Sequence, residues 1–234
     1  MKPEELKNQL AEDGILLTEV QESQLKRYYE ILVEWNTFMN LTGITDLEQV
    51  YLKHFYDSAI LLNHFDLKNI KTLCDIGTGA GFPGMVLKII YPNLTITLVD
   101  SLEKRIKFLN HVIAELQLEN ITTIHARAEE FAVQNREKFD VVTARAVAHL
   151  AVLSEFCLPL VKVGGYFVPM KGNLLEEKKE SIKAIQELSG EIEKEYSFLL
   201  PKEESNRTIL KIKKIKPTNK KYPRKFSEIK KKPL

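Results

Sequence analysis

The sequence predicts an α/β protein: a mostly parallel sheet with helices on both faces, preceded by a small helical cap. Three observations carry that prediction. Short β-type runs alternate with helical stretches from Lys71 onward, the first of these runs opens into a glycine-rich turn, and the first seventy residues show helical periodicity alone. At 234 residues, 44% apolar and 28% charged, the chain suits one large domain with an appendage. It lies outside the range of disordered, collagen-like or rod-like chains.

In the cap, residues 1–70, Leu25, Tyr28, Leu32, Trp35 and Met39 recur at spacings of three and four. They mark one face of a helix whose other side carries Gln24, Lys26, Glu30 and Glu34. Thr18, with Gln21 three positions on, is its expected N-cap. Tyr28, Tyr29 and Trp35 are assigned to the cap core rather than to a base-stacking platform. Asn40-Leu41-Thr42-Gly43 breaks the pattern, and a second helix is expected from about Asp46 to His64, with Val50, Leu52, Phe55, Ala59 and Leu62 available for packing.

The main domain, residues 71–216, is expected to hold strands at Lys71–Ile76, Thr95–Val99, Ile121–His125, Phe139–Thr143 and Gly165–Met170. Helices are expected at Gly84–Tyr91, Leu102–Leu116 and His149–Leu160, and a further amphipathic one (Leu175, Ile182, Ile185, Leu188) is ended by Gly190. Two last runs, Glu195–Leu200 and Thr208–Ile215, are separated by a short polar loop and suit an antiparallel pair at one edge of the sheet. Regular structure is expected to cease beyond Pro217, leaving a basic tail at 217–234.

Several classes are disfavoured. No run approaches about 18 apolar residues, and acidic residues stand where a signal peptide would be basic, so a cytoplasmic protein without membrane contact is expected. Cys74 and Cys157 are far apart with no Cys-x-x-Cys, which supports neither a disulfide framework nor a thiolate zinc site. The net charge of +2 conceals an asymmetry: from Lys211 to Leu234 eleven cations face one acid, so +10 sits there and residues 1–210 carry −8. Such a tail serves either solubility or an anionic partner such as nucleic acid.

The turn reads Leu73-Cys74-Asp75-Ile76-Gly77-Thr78-Gly79-Ala80-Gly81-Phe82-Pro83-Gly84 and opens a helix, the place where an open α/β sheet binds ligands. Gly79-x-Gly81-x-x-Gly84 also satisfies the dinucleotide fingerprint, which brings a nicotinamide or flavin enzyme into consideration. Asp75 argues against a pyrophosphate there, since its carboxylate would repel phosphate and attract an ammonium group. Asp100 follows the second strand, where a carboxylate can accept both hydrogen bonds from a ribose diol. That ribose is common to NAD and S-adenosylmethionine. Glu129 and Glu130 stand where helix N-terminal acids are commonly found.

Asp75-Ile76-Gly77-Thr78-Gly79-Ala80-Gly81-Phe82-Pro83-Gly84, Val99-Asp100-Ser101-Leu102-x-Lys104-Arg105, Arg127-Ala128-Glu129-Glu130 and Thr143-Ala144-Arg145-Ala146 together resemble the class I S-adenosylmethionine-dependent methyltransferases. Within these, the chain resembles the RsmG (GidB) family of bacterial 16S ribosomal RNA guanine-N7 methyltransferases. The likeness extends to Leu32-Val33-Glu34-Trp35-Asn36, Asn40-Leu41-Thr42, His54-Phe55-x-Asp57-Ser58, Lys171-Gly172 and Lys220-Lys221-Tyr222-Pro223-Arg224-Lys225. Roughly the whole chain is covered, in order, although the end after Phe226 departs from the Gly/Pro-containing tail associated with the family.

The resemblance implies a Rossmann-like, seven-stranded, mostly parallel sheet with an antiparallel edge strand, and S-adenosyl-L-methionine as cofactor. The implied partner is 16S ribosomal RNA or the small ribosomal subunit, and a monomer without metal is expected. Cofactor contacts carry over to Gly77, Phe82, Ala128, Glu129 and Arg145. Asp75 and Asp100 follow from both the resemblance and the charge reasoning, and Gly79 and Gly81 complete the turn. A guanidinium beside a sulfonium is repulsive, so Arg145 is expected to orient polar groups or an RNA phosphate. Substrate contacts are expected from Lys171, Arg207, Lys220, Lys221 and Arg224. Class I enzymes that methylate exocyclic amines commonly carry an Asn/Asp-Pro-Pro-aromatic motif where this chain has Thr143-Ala144-Arg145-Ala146. Guanine N7, with its free lone pair, needs alignment but no general base. His54 and Asp57 share a helix face at a spacing that would permit metal ligation, but no third ligand is evident. They are expected to form a polar contact between cap and catalytic domain. The rival readings are a nicotinamide oxidoreductase, a class I enzyme acting on another RNA or a small molecule, and a non-enzymatic RNA-binding protein.

Overall fold

Among the described residues, seven strands form one sheet: β1 Thr72–Ile76, β2 Thr95–Asp100, β3 Ile121–His125, β4 Phe139–Arg145, β5 Val161–Lys171, β6 Gly190–Leu199 and β7 Asn206–Lys214, in the order β3-β2-β1-β4-β5-β7-β6. The computed structural model describes residues 1–63, 65, 69–145, 148–172, 174–203 and 205–234, the side chain at 62 excepted. The expected helix end at His64, the packing of the Leu62 side chain, and Ala146 of the fourth motif therefore lie outside the described residues. Strands β1 to β5 are mutually parallel, and β7 runs antiparallel to both β5 and β6. The order reverses between β1 and β4, which opens a crevice at their carboxyl ends.

The side-chain alternation of the strands sorts the core onto two faces. Leu73, Ile96, Leu98 and Val141 pack with α5 (Gly84–Ile90) and α6 (Glu103–Glu115), while Cys74, Val99 and Val142 pack with α7 (Ala128–Gln134), α8 (Leu150–Cys157) and α9 (Leu175–Glu187). Both cysteines are buried and unpaired. The cap helices α1 (Pro3–Glu12) and α2 (Glu19–Met39) extend the first of these cores, with Leu6, Leu25, Tyr28 and Leu32 buried in it. The expected cap of α2 is present, for the Thr18 hydroxyl accepts from Gln21 N and the Gln21 side chain accepts from Thr18 N. The amide of Gln21 also donates to Ile89 O and Ile90 O at 2.8 and 3.0 Å, and that of Gln24 to Leu116 O at 3.0 Å. Side chains of the cap thus satisfy carbonyls at the ends of α5 and α6.

Four expectations are corrected. The single helix expected from Asp46 is broken into α3 (Leu47–Val50), a π-helical turn (Tyr51–Tyr56), α4 (Asp57–Ala59) and a 3₁₀ turn. The Lys53 carbonyl in the widened turn accepts from Arg145 Nη1 at 2.8 Å, and a side chain bonded into a helix ladder is a known cause of such irregularity. Strand β6 begins at Gly190 rather than Glu195. Helix α9 ends at Glu187 with Ser189, not Gly190, in the left-handed region at φ 69°; a Cβ at Gly190 would meet Ile185, Leu158 and Ile212 at 2.9–3.0 Å, so this glycine lets the new strand pack directly on the helix.

The chain beyond Pro217 is folded. It contains α10 (Phe226–Lys231), buries Tyr222 and Ile229, and is anchored by Arg136, which donates to Thr218 O at 2.6 Å, and by a two-pronged Arg224–Glu155 pair at 2.7 and 2.9 Å. Among the described residues no helix is long and apolar enough to cross a membrane.

Candidate active site

A cavity of about 720 Å³ opens over the carboxyl ends of the central strands, with the cap as one wall. Its floor is the turn after β1. Gly77, Gly79 and Gly81 have φ of 67°, 62° and 100°, values that L side chains rarely adopt, and the N–H groups of Gly77 and Thr78 donate to Val99 O. Gly79 lines the cavity and has open space where a Cβ would stand. Gly81 does not line it: a Cβ there would lie 2.5 Å from the Tyr28 hydroxyl and 2.9 Å from Met85 Cβ. Its glycine requirement comes from its φ and from its neighbours, among them the cap's Tyr28, whose hydroxyl donates to Ala80 O.

Asp75 also departs from its expected place. It is fully buried outside the cavity lining, and its Oδ2 accepts from Thr78 Oγ1 at 2.7 Å and Gly84 N at 2.8 Å, tying the two ends of the turn together. Oδ1 has no partner, and burial pushes the carboxyl up to about 6. Asp75 therefore braces the turn from beneath the cavity floor. Asp100 does line the cavity. Its Oδ2 accepts from Gly79 N at 2.9 Å and Arg105 Nη1 at 3.1 Å, and its Oδ1 accepts from Leu102 N at 2.9 Å, leaving a lone pair on Oδ1. Ala128 and Glu129, at the start of α7, line the same end of the cavity.

The other end joins the cap to β4 and β7. Phe82, 5% exposed, stacks on His54 with centroids 4.4 Å apart, and the Arg145 guanidinium lies 5.1 Å from the Phe82 centroid. Asp57 sits between two arginines, its Oδ2 3.3 Å from Arg145 Nη1 and its Oδ1 3.1 Å from Arg207 Nε. Burial lifts the Asp57 carboxyl above the ordinary carboxylate range despite both guanidinium groups. His54 lies 3.2 Å from both Arg145 Nη2 and Lys53 O through Nδ1 and 2.9 Å from the Thr42 hydroxyl through Nε2. The polar contact expected of His54 and Asp57 is present, built around Arg145. The widened turn aims both side chains, and the Lys53 carbonyl, at that one guanidinium. Among the described residues no group of three or more His, Cys, Asp or Glu is placed to hold a metal ion.

Burial and the neighbouring Arg145 charge push the His54 imidazole down to about 3. The unfolded chain takes up a proton near 6.5, the ordinary value, so the stability His54 lends is complete above that pH and is lost as the pH falls from 6.5 toward 3. Its expected contribution to the slope approaches about 1.4 kcal/mol per pH unit. Urea unfolding of His54→Gln across pH 4.5–6.5 should give a flatter profile than the parent, and equal slopes would refute the neutral buried ring.

Of the expected substrate residues, Lys171 and Arg207 line the cavity, with Lys171 bonded to Ala148 O and the Glu177 carboxylate. Lys220, Lys221 and Arg224 do not. Arg224 is held by Glu155 and Lys221 by Glu187 at 3.1 Å, and Lys220 is exposed. Sequence reasoning missed Thr42, Arg105, Arg127 and Phe226 as cavity residues; Arg105, paired with Asp100, and Arg127, next to Ala128, lie beside expected contacts in sequence, whereas long-range packing brings Thr42 and Phe226 there.

The model of the family described as rRNA small subunit methyltransferase G (GidB) matches residues 21–209. The ribosomal RNA small subunit methyltransferase G of Lysinibacillus sphaericus is 57% identical over 219 residues, 92% of each chain. That of Bacillus subtilis is 52% identical over 237 residues, covering 100% of this chain and 99% of its own. The chain belongs to the rRNA small subunit methyltransferase G family.

Solved structures share the fold of this G-family member's sheet. A SAM-dependent methyltransferase from Aquifex aeolicus superposes with a TM-score of 0.52 at 18% identity, covering 71% of this chain and 93% of that one. TrmN from Thermus thermophilus gives 0.54 at 15% identity, over 70% and 53%. For the G-family chain an adenosine-type cofactor can be tested against the cavity itself. The volume is that of a small-molecule site, Asp100 retains acceptor capacity toward a diol, and Gly79 leaves room for close approach to the backbone.

Proposed function

We propose that the protein transfers a methyl group from S-adenosylmethionine to N7 of a guanine in 16S ribosomal RNA of the small ribosomal subunit. Bound at the turn, the cofactor would supply an electrophilic methyl on a sulfonium. Asp100 would hold its ribose, Ala128 and Glu129 would border its base, and the Gly77 to Ala80 backbone would carry the amino-acid portion. Family membership supports ribosomal RNA as the acceptor.

The observation that carries the choice of N7 is the state of the ionisable groups beside Phe82. Asp57 is locked between Arg145 and Arg207, and His54 is held far below the pH at which an imidazole accepts protons well. An acceptor that must lose a proton finds no ready base at this end, whereas guanine N7 offers an in-plane lone pair and requires only alignment. Arg145 and Arg207 then set the charge of the pocket wall toward RNA, whose target guanine must be unpaired to reach it.

The test is transfer of labelled methyl from S-adenosylmethionine to small-subunit RNA, or to particles, from cells lacking the protein, followed by nucleoside analysis. N7-methylguanosine formed only with the intact enzyme is the expected result. A different methylated nucleoside would reject the N7 reading, and transfer to neither RNA nor particles would reject the ribosomal acceptor.

A further inference from the structure

The last cavity residue in the sequence is Phe226, on the folded C-terminal segment. The residue is 40% exposed at the cavity wall, which Ala126, Ala128 and Phe156 also line. Its ring is nearly parallel to the Phe156 ring, at 21° with centroids 6.4 Å apart, and the Arg127 guanidinium lies 5.6 Å from its centroid. The ring is firmly mounted. Glu155, with no exposed surface, grips Arg224 two residues before it, Ile229 three residues after it is fully buried, and Arg136 holds Thr218 O. An apolar ring held still and left open to a cavity presents a surface for a flat π-system.

We propose that Phe226 is the base-stacking wall of the cofactor site, with the adenine of S-adenosylmethionine lying against its ring. Strand order assigns it to the adenine and not to the RNA base. With the ribose at Asp100 on β2, the attached base continues toward β3 and the residues that follow it, where the Arg127 guanidinium lies over the Phe226 ring, whereas Arg145, Lys171 and Arg207 lie on the opposite side, past β1. The C-terminal segment is then a structural member of the cofactor site. This rests on the cofactor reading given above.

The experiment is calorimetric titration of the full-length protein with S-adenosylhomocysteine and, separately, with 5′-methylthioadenosine, which lacks the amino-acid portion. Phe226→Ala should weaken both ligands by the same factor, roughly five- to tenfold, with an unchanged melting temperature, and Phe226→Tyr should restore binding to within about twofold. In Phe226→Trp, indole emission should be quenched by either ligand beyond any change shown by the parent, whose single tryptophan is Trp35. Parent-like affinity of Phe226→Ala, or no added quenching in Phe226→Trp, overturns the assignment of Phe226 while leaving the cofactor reading intact. Failure of the parent itself to bind either ligand overturns the cofactor reading, and this inference with it.

Discussion

Asp100→Ala is expected to raise the dissociation constant for S-adenosylhomocysteine about 100-fold. Hydrogen bonds to a charged acceptor contribute about 1.5–3 kcal/mol each, and a hundredfold change needs only about 2.7 kcal/mol. The loss has two sources. The ribose loses its acceptor, and the turn loses its anchor, because Gly79 N, Leu102 N and Arg105 all converge on this carboxylate. Asp100→Asn would turn an amide NH₂ toward at least one of these donors and should recover little. Calorimetry checks the prediction, with circular dichroism confirming that the sheet persists. Affinity within threefold of the parent would remove Asp100 from the ribose.

The second large effect concerns stability. Asp57→Ala should lower the unfolding free energy by about 3 kcal/mol, at the lower end of the range for breaking a buried ion pair, because the arginine side chains keep 16% and 20% of their exposure. The variant would leave Arg145 and Arg207 facing each other with no anion between them. The double variant Asp57→Ala/Arg207→Met should regain part of the loss, since removing one guanidinium relieves the repulsion. Urea unfolding measures both. A single variant as stable as the parent would mean that water or rearrangement already serves the two cations.

Local pattern was enough to place the sheet strands to within a few residues, the α2 cap at Thr18 and the turn after β1. Alternation, capping chemistry and glycine spacing act over neighbouring positions, where sequence reasoning is strong. Asp100 was legible for the same reason, as the residue that closes its strand. The misreadings arose from contacts between distant positions. Asp75 reads as a ligand carboxylate because nothing nearby in sequence announces that Thr78 and Gly84 will enclose it. Gly81 reads as one more phosphate-type glycine, yet Tyr28, 53 positions earlier, sets its size limit. The tail reads as a solvated lysine run because Glu155, Arg136 and Glu187, which hold it, lie far upstream. The π-helical turn has no compositional signal at all, since it depends on a guanidinium arriving from β4.

The wall formed by Phe226 has a consequence for how the enzyme comes into being. Cavity residues run from Leu41 to Phe226, eight positions before the final Leu234. During synthesis the cap, the sheet and the glycine turn can assemble in order from the amino end, but the pocket remains open on one side until the closing residues emerge. A chain interrupted before Phe226 would therefore fold around most of its core and still lack one side of the pocket. Synthesis through Phe226 would thus precede closure of the pocket.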